Sequence, residues 1–396
     1  MKIVLVTTIY PPDIGGPATY AWDVSRRLRA RGHDVEIVAS SLNVTDAEVA
    51  HPPPWFRHVR FLRGAINVAF LFWLLIKIGR RNDLFYVQSP GHVGLLVVFA
   101  ARLLRKPVVM RYPGDVAWER TFARGETKKT LHEFLRSPEG GWRTSLLMRI
   151  QRAVMARVDR VIAPSEYIRG ALIEAYGVRS THIHTIYHSL DLTDYTNAAS
   201  IQTNRKNDDG PMILNIGRLA RHKRIVDVIG AMKRVREVYP HARLLIAGEG
   251  PQKAALQAEA ERLGLADRIR FLGQVTRPRA LEIMAEADLL VLPSLWEGLS
   301  HVAIEAIAIG VPVVATAIPG LFEILEHEKT ALLVPPCDPA ALADAIIAMT
   351  ADAELRERVV RNGRAFARER FNWQTNLPAL ENVLQIAIHG DRKRNE

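Results

Sequence analysis

Apolar residues in this chain come in short β-branched runs that alternate with stretches of helical period. Lys2 to Thr8 is the first run; it reads as a buried parallel strand entering a loop that holds Pro11, Pro12, Gly15, Gly16 and Pro17. From Ala18 to Ala30 the apolar positions Ala21, Val24 and Leu28 recur at helical spacing, Gly32 stands just past the end, and Val35 to Ala39 gives the next strand. Strand, glycine loop, helix and strand make a βαβ unit, right-handed by the usual crossover rule. Further strands are predicted at Leu84–Gln88, Val108–Arg111 and Arg160–Ala163, with an apolar helical stretch at Val93–Leu104. Thr193 to Asp209 is polar and ends in Gly210-Pro211, which reads as a linker. The scheme then restarts with strands at Met212–Ile216, Leu244–Ala247, Ile269–Leu272, Leu289–Leu292 and Val313–Ala315, a helix from Ile225 to Tyr239, and a terminal helix from Asn372 to Ile388 before a charged tail at Asp391–Glu396. The pattern predicts an α/β protein of two Rossmann-like, doubly wound parallel-sheet domains, residues 1–192 and 211–372, with a linker at 193–210 and a C-terminal helix and tail at 373–396.

A length of 396 residues suits two domains, and 48% hydrophobic with 24% charged residues is the balance of a globular protein. The single cysteine, Cys337, excludes an intramolecular disulfide and a thiolate zinc cluster. The opening apolar run is too short for a signal-peptide core and lacks a cleavage site, so a cytoplasmic location is expected. The longest apolar stretch, Ala65 to Ile78, is broken by Asn67 and Lys77 and falls short of the roughly 18–20 residues that span a bilayer.

The net charge of +11 is placed unevenly: residues 1–200 hold 27 Lys and Arg against 17 Asp and Glu, and residues 201–396 hold 26 against 25. An anionic partner is therefore expected for the first half: nucleic acid, a membrane surface or a phosphorylated substrate. With 7% aromatics and no nucleic-acid motif, nucleic acid is set aside. Arg57, Arg60, Arg63, Lys77, Arg80 and Arg81 flank the apolar segment Phe61–Ile78, and Arg102, Arg105 and Lys106 end the next one. Apolar surface bordered by cations suits peripheral association with the anionic inner face of the cytoplasmic membrane; a core helix with solvated flanking charges is the alternative.

Open α/β sheets bind ligands at the carboxyl ends of their strands. The loop around Gly15-Gly16 allows close backbone approach and opens a helix whose free N–H groups suit an anion, although two glycines also serve chain geometry alone. Gly217 to Arg224 concentrates Arg218, Arg221, Lys223 and Arg224 after a strand, as an anion site or as a solvated basic turn. The segment Pro293-Ser294-Leu295-Trp296-Glu297-Gly298-Leu299-Ser300-His301 leads into a helix predicted to begin near Leu299, with Glu305 about two turns along; the two carboxylates either share a ligand or serve as a cap and a surface charge. His301 reads as a packing or orienting residue, not a base, and two glutamates on one helix need not flank a glycosidic bond.

Glu297 and Glu305 set in Pro-Ser-x-x-Glu-Gly, with Gly310-Val311-Pro312-Val313-Val314-Ala315 downstream, resemble the donor-site signature of the retaining glycosyltransferases of family four, which have the GT-B fold. Gly217-Arg218-Leu219 with Lys223 resembles the Gly-Arg-Leu-x-x-x-Lys-Gly segment of that family, and Ala247-Gly248-Glu249-Gly250-Pro251, Phe271-Leu272-Gly273 and Gly15-Gly16 match in order. The resemblance spans about residues 1–375 and implies two domains facing a central cleft. It implies transfer of a hexose-type sugar from a UDP- or GDP-linked donor to a glycan or lipid-linked acceptor in cell-envelope or exopolysaccharide synthesis, without a metal or other cofactor. In the roles it implies, Arg218 and Lys223 hold the donor diphosphate, Glu297 contacts the sugar, Glu305 the ribose, Gln274 and Val275 flank the base, the N–H groups of Gly298, Leu299 and Ser300 aid the leaving phosphates, and Gly16 closes over the diphosphate. Two positions depart from the family: Pro113 stands in place of the usual histidine, leaving Asp115 or Arg111 to take part of its role, and Ser189 stands in the His188-Ser189-Leu190-Asp191 segment where a glycine is usual. A nucleotide-sugar epimerase, a phosphorylase and a binding scaffold without turnover are the alternatives.

Overall fold

The computed structural model describes residues 1–392 except 14, 42, 52–62, 113, 192–194 and 196–209. Pro113, Arg57 and Arg60, and most of the expected linker, therefore lie outside the described residues. The chain forms two compact units, residues 1–188 with 374–396 and residues 189–373.

The first unit is built on a parallel sheet of seven strands: β1 (Lys2–Thr7), β2 (Asp34–Ala39), β3 (Val49–Ala50), β4 (Leu84–Val87), β5 (Val108–Arg111), β6 (Arg160–Ala163) and β7 (Ile183–Thr185), in the order β3-β2-β1-β4-β5-β6-β7. Ile3 to Val6 pair with Val35 to Val38 on one side and Leu84 to Val87 on the other. Their near-complete burial explains why the sequence is apolar without alternation: a central parallel strand is covered on both faces. Pro17 lies in the first turn of the helix Gly16–Ala30, where its missing N–H costs nothing. The terminal helix, Trp373–Arg392, runs past the predicted end and returns to this unit: Arg31 grips Glu381 through two hydrogen bonds of 2.7 and 2.9 Å, and His33 adds a third at 2.9 Å.

The second unit carries six parallel strands, β8 (Met212–Ile216), β9 (Arg243–Ala247), β10 (Ile269–Gly273), β11 (Leu289–Leu292), β12 (Val313–Thr316) and β13 (Leu332–Val334), in the order β10-β9-β8-β11-β12-β13. Ile213, Leu244, Ile246, Val291 and Val314 fill its core against the helices Ile225–Val238 and Pro339–Ala351. In both units the strand order reverses beside the first strand, between β1 and β4 and between β8 and β11, which is where doubly wound sheets open a crevice for a ligand. Tyr195, from the segment read as linker, packs in the second unit at 1% exposure.

Candidate active site

The loops after β8 and β11 meet at the reversal point of the second sheet. After β8 the chain turns at Gly217 and lies on the Gly248-Glu249-Gly250 turn: Leu219 N–H donates to the Glu249 carbonyl at 2.9 Å and Gln252 N–H to that of Leu219 at 3.0 Å. Gly248 has φ +144, and a Cβ there would stand 1.9 Å from the Gly217 carbonyl oxygen, so the two glycine motifs of the sequence form one interlocked support. A single 3-10 turn, Arg221–Lys223, then leads into the helix at Ile225. Arg224 takes φ +50 where the family motif has glycine, its guanidinium bonded twice to Asp227. Ser189, which stands where a glycine is usual, does not adopt a left-handed backbone.

The turn delivers Lys223 to Glu297. Lys223 Nζ donates to Glu297 Oε1 at 2.6 Å, and Ser294 Oγ donates to the same oxygen at 2.8 Å. Backbone ties hold the loops in register: Leu295 N–H donates to the His222 carbonyl at 2.7 Å, and Gly320 lies so close that a Cβ would sit 1.7 Å from the Glu297 carbonyl oxygen. Glu297 is 7% exposed, while Arg218, one loop residue after Gly217, is exposed and makes no ion pair among the described residues. A paired lysine, an exposed arginine and a buried carboxylate thus share the loops of one strand-order reversal.

The helix following Glu297 is His301–Ile309, two residues later than expected from Leu299, because Ser300 is the N-cap and its Oγ accepts from Ala303 N–H. Gly298 and Leu299 thus precede the helix, and His301 is its first residue. Glu305, on this helix, accepts from Tyr195 Oη at 3.1 Å and lies 3.7 Å from Arg277 Nε; Arg277 Nη2 also donates to Tyr195 Oη at 3.0 Å. Burial and the charge of Glu305 raise the Tyr195 hydroxyl, which stays protonated. Gln274 and Val275 occupy the loop after β10, one turn before Arg277. Ser294 stands three residues before Glu297 inside the quoted motif, a local contact, whereas spacing could not show Arg277 or Tyr195 as partners of Glu305, since each reaches it only through the tertiary fold.

His222 lies under this turn, edge-on to Trp296 at 6.4 Å between ring centroids. Burial first, and then the charges of Lys223 and Arg218, hold its imidazole down to about 3. The folded chain keeps His222 neutral, whereas the unfolded chain takes up a proton below about pH 6.5, so its contribution to stability is complete above pH 6.5 and is lost as the pH falls toward 3. The unfolding free energy should climb more steeply between pH 4.5 and 6.5 in the wild type than in His222→Gln, by up to about 1.4 kcal/mol per pH unit. Equal slopes in denaturant titrations would refute the assignment.

In the first unit, Gly16 opens a helix with no side-chain cap, its preceding Gly15 at φ +158. At the ends of β4 and β5, Gln88 is 1% exposed with neither amide atom hydrogen-bonded, and the buried Arg111 guanidinium lies 3.7 Å over the Tyr20 ring, whose hydroxyl bonds that of Tyr86 at 2.8 Å. Asp115 does not fit the substrate role expected for it. It is fully buried and caps the helix Val116–Ala123 through Oδ1 to Trp118 N–H at 2.7 Å, while Oδ2 accepts from Tyr112, Gln151 and Tyr176 at 2.7, 2.9 and 2.5 Å. Its acceptor capacity is spent inside the protein.

Two family models match in sequence: Glycosyltransferase Family 4 over residues 14–194 and Glycosyl transferases group 1 over residues 197–366. The glycogen synthase of Mycobacterium tuberculosis is 28% identical over 99% of this chain and 96% of its own, and the phosphatidyl-myo-inositol mannosyltransferase of Mycobacterium leprae 27% identical over 96% and 95%. In fold, the chain is similar to Alr3699/HepE of Anabaena in complex with UDP and glucose, with a TM-score of 0.77 at 20% identity over 97% of this chain and 99% of the other. With both units matched and the switch-point loops bearing the family's residues, the chain belongs to the group 1 glycosyltransferases of family four, retaining enzymes of the GT-B fold that transfer a sugar from a nucleotide sugar.

Proposed function

We propose that this enzyme transfers a hexose from a UDP- or GDP-linked donor to a glycan or lipid-linked acceptor, in cell-envelope or exopolysaccharide synthesis. The observation that carries the donor assignment is the Lys223–Glu297 pair at 2.6 Å beside Arg218, which makes no ion pair among the described residues, on the loops of the strand-order reversal. Arg218 and Lys223 neutralise the diphosphate as it departs, supplying the charge stabilisation that a metal gives elsewhere. Lys223 has two further N–H donors for phosphate while it orients Glu297, which accepts from the sugar hydroxyls. Glu305, steadied by Tyr195 and Arg277, takes the ribose, and Gln274 and Val275 flank the base. The N–H groups ahead of Ser300 and the uncapped helix end at Gly16 are suited to anionic groups. The bond to the departing phosphate breaks on the face where the acceptor hydroxyl attacks, and the hydroxyl proton leaves with the phosphate. Gln88, a buried amide with unused donors and acceptors, faces the acceptor in this reading. UDP and glucose bound to the Anabaena structure, and UDP-glucose in a second crystal of it, support a uridine donor.

A panel of UDP, GDP, ADP and dTDP in thermal unfolding tests the donor site, because a ligand that binds only the folded state raises its stability by RT ln(1 + [L]/Kd). One nucleotide should raise the melting temperature, with the shift surviving EDTA; no shift with any nucleotide would overturn the reading.

Access to a lipid-linked acceptor is supported by the outer surface of the first unit. On the packed helices Arg63–Gly79 and His92–Leu104, Leu71, Leu74, Leu75 and Ile78 are buried, while Val68, Trp73, Phe99 and Leu103 are between 43% and 69% exposed. Lys77 lies over the Trp73 ring at 4.9 Å. No helix among the described residues is long and apolar enough to cross a membrane, so association is at the surface. The enzyme should float with phosphatidylglycerol vesicles at low salt, and Trp73→Glu with Leu103→Glu should sink.

A further inference from the structure

A cavity of about 670 Å³ lies in the first unit where β5 and β6 begin, the opposite end of those strands from the ligand loops. Its wall carries Arg102, Arg105, Lys106, Arg157, Arg160 and Arg179. Asp159 is the one acidic residue of the lining among the described residues, and its Oδ2 accepts from Val108 N–H at 2.8 Å. None of the six cations forms an ion pair among the described residues. Arg157 and Arg160 donate only to the backbone carbonyls of Ala153 and Asp159, at 2.8 and 2.7 Å. Arg160 Nε is buried with no hydrogen-bond partner, a donor stripped of water that has gained nothing in return. The helices ending at Leu104 and Met155 finish here, and their terminal carbonyls offset roughly one charge between them, which leaves an excess of about four. Nearby, burial and then the charge of Arg160 hold the His184 imidazole below its ordinary value, in keeping with a positive field.

Six cations lining one cavity against a single carboxylate among the described residues repel each other, so the arrangement is stabilised by an anion of matching multiplicity. Guanidinium forks pair with phosphate oxygens two at a time, and several forks around one space suit several phosphates. We infer that this cavity is a second anion site, separate from the donor loops, that binds a ligand carrying two or more clustered phosphate groups, either a soluble oligophosphate or a phosphorylated lipid headgroup. The ligand's phosphates span Arg160 and Arg179 on one side and the cluster Arg102, Arg105 and Lys106 on the other.

The test titrates inorganic tripolyphosphate into the full chain by calorimetry, alongside Arg157→Gln with Arg160→Gln, a second variant Arg105→Gln with Arg179→Gln, and Arg218→Ala as the donor-loop control. Binding by the wild type that weakens at least tenfold in both cavity variants, and is kept in Arg218→Ala, is the expected result and names a soluble oligophosphate. If tripolyphosphate fails to bind but flotation on vesicles of phosphatidylinositol 4-phosphate is lost in both cavity variants and kept in the Trp73→Glu, Leu103→Glu protein, the ligand is a headgroup and the site stands. Equal binding by wild type and cavity variants, or no binding of either probe, overturns it. Melting temperatures of all variants establish that each is folded.

Discussion

Replacing Glu297 by alanine is expected to lower kcat/KM for transfer by at least about a thousandfold, a loss near 4 kcal/mol, with little loss of fold. The size follows from two roles ending together: the carboxylate that meets the sugar disappears, and Lys223 loses the partner 2.6 Å away that aims it at the departing diphosphate. The fold survives because Lys223, with a quarter of its side chain exposed, recovers water when the pair is broken. Lys223→Ala should be as damaging to turnover but different in kind, since it removes a cation from the diphosphate and leaves Glu297 only the Ser294 hydroxyl. Nucleotide diphosphate should therefore still raise the melting temperature of Glu297→Ala and do so much less in Lys223→Ala. The double variant should be scarcely worse than either single one, because residues acting as a unit are not additive. Transfer at the wild-type rate in Glu297→Ala would sink the site assignment, and equal nucleotide shifts in both variants would dissolve the division of labour.

What the sequence revealed here was what is written in contiguous backbone. The central strands of both sheets are apolar runs buried on two faces, and they stand where the pattern places them; Val49–Ala50, Ile183–Thr185 and Leu332–Val334 escaped because a two- or three-residue strand at the rim of a sheet carries no period to read. The helix after Glu297 starts later than expected because an apolar Leu299 beside the run looks like helix, whereas Ser300 supplies the cap. The glycine motifs were legible as loops, but that Gly248 and Gly217 brace each other is a fact of tertiary packing. The same limit applies to the polar partners. Tyr195 meets Glu305 across 110 positions of sequence, from a segment whose composition says linker. Gln88 looked like the last residue of a strand, and its unused amide is visible only once the strands around it are in place.

The sharpest conflict between pattern and packing is at Asp115, and it carries the second large effect. Asp115→Ala should destabilise the protein by about 3–5 kcal/mol. Four donors converge on this buried carboxylate: the Trp118 amide, the Tyr112 and half-buried Tyr176 hydroxyls and the Gln151 amide. Burial and the nearby charge of Asp115 hold both tyrosine hydroxyls above their ordinary range, so they remain donors at any working pH and are stranded when the acceptor goes. The N-cap of the helix Val116–Ala123 is lost in the same change, itself about 1 kcal/mol. A carboxylate that touched the substrate would behave otherwise: its removal would reduce kcat and leave the melting temperature almost untouched. Asp115→Asn separates the two further, for it keeps the volume and one oxygen but points an N–H₂ group at donors, and should recover only part of the stability. Thermal unfolding of both variants beside steady-state kinetics decides the matter. A melting temperature within a degree of the wild type, with turnover abolished, would return Asp115 to the substrate; a deep fall in melting temperature, with near-normal turnover in the fraction that stays folded, fixes it as the post that holds the loop beyond β5.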